Sequence, residues 1–162
     1  MNEVGAVPTR NAREVQFEGT NNISAEAMTK PRGESGKSNL VTNAACFGCT
    51  IACGRIARID EAHYSIRNKP EYRQASGGLE YESAWALGSD LGIDDLDALT
   101  YANFICNEDG IDPISFGSTL AAAMEMYEEG VLTLEDTDGI ELKFGSSEAL
   151  INMVELTARG EG

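Results

Sequence analysis

Apolar positions fall into a helical rhythm mainly in the second half of the chain. Leu96, Leu99, Ala102 or Asn103, and Cys106 recur at three- and four-residue spacing, the mark of a helix with one buried face. Asp94 reads as its N-cap. Asp95 and Asp97 fall in the first turn, where carboxylates suit the positive end of the helix dipole. Gly110 suits the left-handed residue that closes such a helix. Asp112 then caps a second helix, with Pro113 at its first position, where a missing N–H costs nothing. Leu120, Met124 and Tyr127 mark its buried stripe and Gly130 its end. Upstream, residues 81–91 are expected to be helical with Trp85 on the buried side. A last helix starts at Ser146 or Ser147 and carries Leu150, Ile151, Val154 and Leu156.

The first half of the chain lacks this rhythm. Residues 1–45 contain Pro8, Pro31, Gly33 and Gly36 among many Ser, Thr and Asn, the composition of irregular, extended chain. One short helix is expected from a cap at Ser24 through Ala25, Glu26, Ala27 and Met28. So long a stretch without a core of its own is expected to pack on something absent from this sequence. Residues 46–58 read as turn mixed with helix. Residues 59–79, with Pro70 and the Gly77-Gly78 pair, read as loop. The predicted class is mainly α: a multihelical domain at 46–162 behind an irregular, extended lead-in at 1–45, with few strand signals and no internal repeat.

At 162 residues and 42% hydrophobic, the chain can bury a real core. No apolar run approaches the roughly 20 residues that span a bilayer, so a membrane is not an expected partner. The N-terminus has no basic start followed by an apolar stretch, which points to the cytoplasm. Charge is uneven. Residues 1–75 hold ten Lys/Arg and eight Asp/Glu, a net of +2, whereas residues 76–162 hold two and nineteen, a net of −17. Nucleic acid is therefore not an expected partner, because phosphate binding needs basic surface. The acidic half reads as solvated helix faces, or as a surface that steers a charged partner.

Candidate chemistry centres on Cys46, Cys49 and Cys53, spaced C-x2-C-x3-C in ACFGCTIACGR. Three cysteines within eight residues are too close for an ordinary disulfide framework and suit metal ligation. Thiolates at this spacing can converge on neighbouring corners of a 4Fe–4S cubane, with Gly48 and Gly54 allowing tight turns that aim N–H groups at the cluster's sulfides. Zinc, a redox pair or structural thiols are the competing readings. His63 reads as an exposed loop residue. Cys106 falls in the apolar row of a helix and reads as a small core residue, which leaves the fourth cluster ligand on other sequence.

Three strings carry a resemblance to the tungsten-containing aldehyde:ferredoxin oxidoreductase family: Val7-Pro8-Thr9-Arg10-Asn11, ACFGCTIACGR, and the segment from GLEYESAWALGSD through NEDGIDPIS to the end of the second helix. The likeness runs through almost the whole chain but corresponds only to the middle of a family member. It implies a first helical domain with its lead-in, without the N-terminal pterin domain and without the C-terminal domain that supplies the fourth cluster cysteine and an active-site histidine. It further implies that Cys46, Cys49 and Cys53 hold a 4Fe–4S cluster. Glu82 would be the glutamate near tungsten that moves a proton, with Tyr81 beside it, able to hydrogen-bond the aldehyde oxygen. Asn107, Gly110, Ile111 and Asp112 would match the pterin-binding pattern acid-x-x-Gly-Leu-acid, with an amide at Asn107 where the pattern has a carboxylate. The implied cofactors are the cluster and tungsten or molybdenum held by two pyranopterins. The implied partners are ferredoxin or another electron-transfer subunit, a small aldehyde, and the remaining domains of the enzyme. The implied reaction is oxidation of the aldehyde to a carboxylic acid, in a protein of which this chain alone is inactive. Two other functions remain open: the catalytic subunit of a related aromatic-ring thioester reductase, and a stand-alone iron–sulfur electron-transfer module.

Overall fold

The computed structural model describes every residue except Glu34, Asn68 and Gly162. Its helices are α1 (Thr20–Ile23), α2 (Ala25–Thr29), α3 (Tyr81–Leu87), α4 (Leu96–Asp109), α5 (Pro113–Glu128) and α6 (Ser147–Arg159). The strands β1 (Leu40–Ala44), β2 (Gly54–Arg58) and β3 (Gln74–Ser76) pair antiparallel in that order, the one sheet among the described residues. The protein is mainly helical, as its sequence pattern indicates.

Helix α4 is the centre of the molecule. Every residue from Leu96 to Cys106 is buried, with α6 alongside it and α3, α5 and β2 in contact with it. A helix buried all round must pair its polar side chains internally. The Asp97 carboxylate accepts from the Arg32 guanidinium, 2.7 Å for one of two bonds, and from the Asp60 N–H at 2.9 Å. Thr100 accepts from the Asn39 amide at 3.0 Å. The Asn103 amide donates to the Gly77 carbonyl at 2.6 Å, and the Tyr101 hydroxyl donates to Glu155 at 2.5 Å. The Glu155 carboxylate also takes a bond from Lys69 at 2.8 Å. Burial, and then the neighbouring Glu155, drives the Tyr101 phenol well above the ordinary tyrosine range.

Most caps lie where the sequence puts them. The Ser24 hydroxyl accepts from Ala27 N–H, Asp112 from Ile114 and Ser115, and Ser146 from Ala149. One cap is displaced by a residue. Asp95, not Asp94, caps α4 through the Asp97 and Ala98 N–H groups at 3.1 Å, and Asp94 instead accepts from the Asn22 amide at 2.7 Å. Expected residues 81–91 divide in two, α3 ending at Leu87 and a 3₁₀ turn following at Ser89–Leu91. Trp85 and Leu156 are half-buried rather than part of the core.

Larger corrections concern the first half. Residues 46–58 contain no helix; β1 and β2 form a hairpin whose connecting loop holds the cysteines. The expected loop at 59–79 contains two 3₁₀ turns, Tyr64–Ile66 and Pro70–Arg73, and strand β3. The lead-in is not coreless. Val7, Phe17, Ile23 and Met28 join the same hydrophobic cluster as Leu99, Phe104, Leu120 and Leu150, so these residues pack on the helices of this chain.

His63 is not an exposed loop residue either. Its Nδ1 accepts from the Ser65 hydroxyl at 2.7 Å and its Nε2–H donates to Asp95 at 3.2 Å, a pairing that fits the neutral Nε2–H tautomer. Burial disfavours the charge on Asp95, but the bond from His63 and those from the Ala98 and Asp97 N–H groups outweigh it and hold the carboxyl below its ordinary value.

Two tests follow from this architecture. At Gly117 on α5, a Cβ would collide with the Ala86 carbonyl of α3. Gly117→Ala is expected to destabilise by about 1–3 kcal/mol in chemical denaturation, although alanine is the better helix former by about 1 kcal/mol; an unchanged midpoint would show that α3 and α5 are not in close contact. The folded value of Asp95 lies below the unfolded value of about 3.9. Its contribution is therefore complete above about pH 4 and is lost as pH falls through the folded value. Denaturation measured from about pH 5 to about pH 2 should show the wild type losing more stability than Asp95→Asn.

Candidate functional site

The residues singled out by sequence lie on three segments: the hairpin loop with Cys46, Cys49 and Cys53, the head of α3 with Tyr81 and Glu82, and the turn from Asn107 to Asp112 that joins α4 to α5. The Gly77-Gly78-Leu79 segment connects all three. The Gly77 and Gly78 N–H groups donate to the Arg55 carbonyl at 3.0 and 2.9 Å. The Gly77 carbonyl accepts from Asn103 and, at 3.2 Å, from Asn107. The Leu79 carbonyl accepts from the Arg55 guanidinium. Gly77 has φ +84° and Gly78 lies where a Cβ would come within 2.8 Å of Ala57, so neither position has room for a larger residue. A reading of 59–79 as plain loop misses this junction. Arg55, in the segment expected to be turn mixed with helix, carries no signal in the sequence pattern; it lies on β2, and its guanidinium sits 3.9 Å from Glu80.

Cys46 and Cys53 are exposed, Cys49 half-buried. The Cys49 N–H donates to the Cys46 carbonyl at 3.0 Å, which closes the first turn of the loop. Phe47 and Ile51, two large apolar side chains, stand in solvent between them. Among the described residues no three His, Cys, Asp or Glu side chains are gathered as a metal cage. The donor set nevertheless fits an iron–sulfur cluster. Three thiols share one short loop pinned at both ends by β pairing, and Gly48 has open space on the side a Cβ would fill. Cys106 differs sharply: it is fully buried in the core, and burial, followed by the nearby Asp112 and Asp109 charges, pushes its thiol up to about 12.

At the second segment, Glu80 caps α3 in a reciprocal pair with Ser83. Glu82 is exposed and its carboxylate accepts from the Trp85 indole N–H at 2.5 Å. The Tyr81 hydroxyl donates to the Ala6 carbonyl. Tyr81 and Trp85 face an open cleft of about 640 Å³, with Phe17, Met28, Arg55 and Glu80 also on its walls.

In the third segment, Asp112 is exposed and its carboxyl is held below the ordinary value, first by the Ser115 hydroxyl at 2.5 Å and then by the N–H groups it caps. Gly110 is left-handed, with nothing near the position of a Cβ. This open turn beside an anionic acceptor fits a flat heterocycle that carries amino and ring N–H donors. Asn107 has a physical reason to be an amide, because its N–H₂ donates to Gly77 and a carboxylate cannot. No hydrogen bond or ion pair among the described residues joins Glu82 to the Asn107–Asp112 turn.

The profile of one protein family, described as "Aldehyde ferredoxin oxidoreductase, domains 2 & 3", matches residues 1–162. The chain belongs to the aldehyde ferredoxin oxidoreductase family. It is 41% identical over 159 residues to the tungsten-containing aldehyde ferredoxin oxidoreductase of Thermococcus kodakarensis, covering 98% of this chain and 23% of that protein. Identity to the enzyme of the same description from Pyrococcus abyssi is 39% over 165 residues, covering 100% of this chain and 24% of the relative. A more distant family likeness is to the aliphatic sulfonate oxidoreductase, WOR-like subunit, of Pyrococcus furiosus, at 31% over 116 residues, 72% of this chain and 17% of that one. The chain thus spans about a quarter of the length of the tungsten-containing relatives. Among the described residues no helix is long and apolar enough to cross a membrane.

The contrast between the cysteines is directly measurable. At about pH 8 a thiol near 12 is ionised only to about one part in 10⁴. Alkylation of the metal-free protein, followed by peptide mapping, should label Cys46, Cys49 and Cys53 and leave Cys106 unmodified until denaturant is added. Labelling of Cys106 at the same rate as the others would contradict its burial.

Proposed function

We propose that this chain is the cluster-bearing part of a cytoplasmic tungstopterin oxidoreductase that oxidises aldehydes to carboxylic acids and passes the electrons through a 4Fe–4S cluster to ferredoxin or another carrier. The observation that carries the reading is the three-thiol hairpin loop, tied through Arg55 and the Gly77-Gly78 junction to the Tyr81–Glu82 and Asn107–Asp112 segments. When bound, tungsten (or molybdenum) on two pyranopterins supplies the two-electron oxidation, and the cluster supplies single-electron exit.

The chain's own residues bind, orient and move protons. Cys46, Cys49 and Cys53 supply three thiolates, and the fourth ligand comes from sequence outside this chain. Cys106, buried and protonated, is not a ligand. Asp112 would accept a hydrogen bond from a pterin N–H while still capping α5, since a carboxylate offers about four lone-pair sites and the Ile114 and Ser115 bonds take up the others. Gly110 and Ile111 would bring backbone to the same ligand, and Asn107 would offer its carbonyl oxygen and the one amide hydrogen not given to Gly77. Glu82 takes up and releases the proton at its carboxylate, oriented by the Trp85 N–H. The Tyr81 hydroxyl donates its hydrogen bond to the Ala6 carbonyl, so it would reach an aldehyde oxygen only by exchanging that partner. The remaining domains of the enzyme complete the pocket.

The test uses the intact enzyme, prepared without oxygen. Expected are about four irons per chain attributable to this hairpin, and aldehyde-dependent reduction of a viologen dye. Iron should be lost in Cys46→Ser, Cys49→Ser or Cys53→Ser and retained in Cys106→Ser. Glu82→Gln should lower kcat by about 10²–10⁴ with iron and tungsten content unchanged. Tight zinc in place of iron sinks the cluster assignment. Turnover of an alkylsulfonate but of no aldehyde would replace the substrate class with that of the sulfonate relative.

A further inference from the structure

We infer that Arg55 is a positioning residue that sets how readily the metal centre on the cysteine hairpin accepts an electron, by fixing one positive charge between that hairpin and the head of α3. The inference rests on the cluster assignment made above. Residues 38–54, which contain all three clustered cysteines, include no Asp, Glu, Lys or Arg. Arg55, two residues beyond Cys53, is the first charge after this neutral stretch. The surroundings are otherwise negative. The cleft beside it is lined by Glu3, Glu18, Glu26 and Glu80, and Arg55 is its one Arg or Lys side chain.

The guanidinium is held from several directions. It donates to the Leu79 carbonyl and rests 3.6 Å from the Met28 sulfur, while its own backbone carbonyl takes the Gly77 and Gly78 N–H groups. Its side chain is 23% exposed, and the Glu80 carboxylate lies 3.9 Å away, a separation that leaves the cation only partly offset. Reduction adds one negative charge to an iron–sulfur centre, and a fixed nearby cation favours that state, more so where solvent screening is reduced. With no charged side chain in residues 38–54, Arg55 is the nearest cation to the cysteines along the chain. Because the same guanidinium is bound to Leu79 and Glu80, it also carries the position of the hairpin to the segment that bears Tyr81 and Glu82.

The experiment is a redox titration of the cluster in the intact enzyme, followed by spin resonance and normalised to iron content. Arg55→Gln keeps an N–H donor but removes the charge. At a fixed ambient potential its ratio of reduced to oxidised cluster is expected to fall about tenfold, equivalent to about 59 mV for a one-electron couple. Arg55→Lys keeps the charge and should titrate within twofold of the wild type. Glu80→Gln keeps a capping oxygen for α3 and unmasks the cation, so its ratio should rise. Equal shifts in Arg55→Gln and Arg55→Lys would overturn the inference, as they would point to the tether and not the charge. A cluster whose titration is unmoved in Arg55→Gln and Glu80→Gln also overturns it, while leaving the proposed function standing. If Arg55→Gln fails to assemble, Glu80→Gln decides, and no rise overturns the inference. A wild-type enzyme with no cluster on this hairpin overturns both readings.

Discussion

The burial of α4 on every side is the constraint that the rest of the fold answers. A helix with one wet face can leave Asp97, Thr100, Tyr101 and Asn103 to solvent. Here each must find a protein partner or bear the desolvation of an unpaired polar group, about 1–3 kcal/mol and more for a charge. Their five partners are scattered along the chain. Arg32 and the Asp60 N–H answer Asp97, Asn39 answers Thr100, Gly77 answers Asn103, and Glu155 on α6 answers Tyr101. Irregular chain that has no periodic pattern of its own is thereby fixed on the helix, one polar tether per segment. Apolar anchors such as Phe17, Ile23 and Met28 then fill the space between.

One of those tethers also builds the site. The Gly77 carbonyl faces Asn103 and Asn107 on α4, while the Gly77 and Gly78 N–H groups face Arg55 on the hairpin. The position of the cysteine loop relative to α3 is therefore set by the end of α4. The amide at Asn107 has a cause in this geometry. An acid there would point a carboxylate at a carbonyl oxygen, whereas the amide donates.

This division explains what was legible in the sequence. Helical periodicity with strong caps marked the helices of the second half, because Asp112-Pro113, Gly110 and Ser146 act locally. The cysteine spacing marked the candidate metal loop, since three ligands on one short loop need no tertiary information. The hairpin around it was hidden because β1 and β2 bury little: four of the five β1 residues are exposed, so no apolar alternation betrays the strands. The shift of the α4 cap from Asp94 to Asp95 was hidden for a different reason. Both residues can cap, and the choice is made by long-range partners, Asn22 for Asp94 and His63 for Asp95. Arg55, His63 and the Gly77 junction share this character, for each matters through residues distant in sequence.

The surfaces left over follow a consistent physical logic. Phe47 and Ile51 project from the cysteine loop into water, where a packed protein would gain roughly 25 cal/mol per Å² by covering them. The same loop carries three thiols, one short of what a cubane takes. The cleft between the lead-in and α3 is open on the side where Tyr81 and Trp85 stand. A loop evolved to face solvent would carry charge at such positions, yet residues 38–54 carry none. Neutrality and exposed apolar side chains coincide on this loop. Both are expected of a surface that another surface covers, and the chain matches 23–24% of its tungsten-containing relatives. The strongly acidic second half behaves differently. Its carboxylates fall largely on exposed helix faces and turns, where they remain hydrated. Charge therefore marks the exposed helix faces of the second half, and its absence marks the cysteine loop.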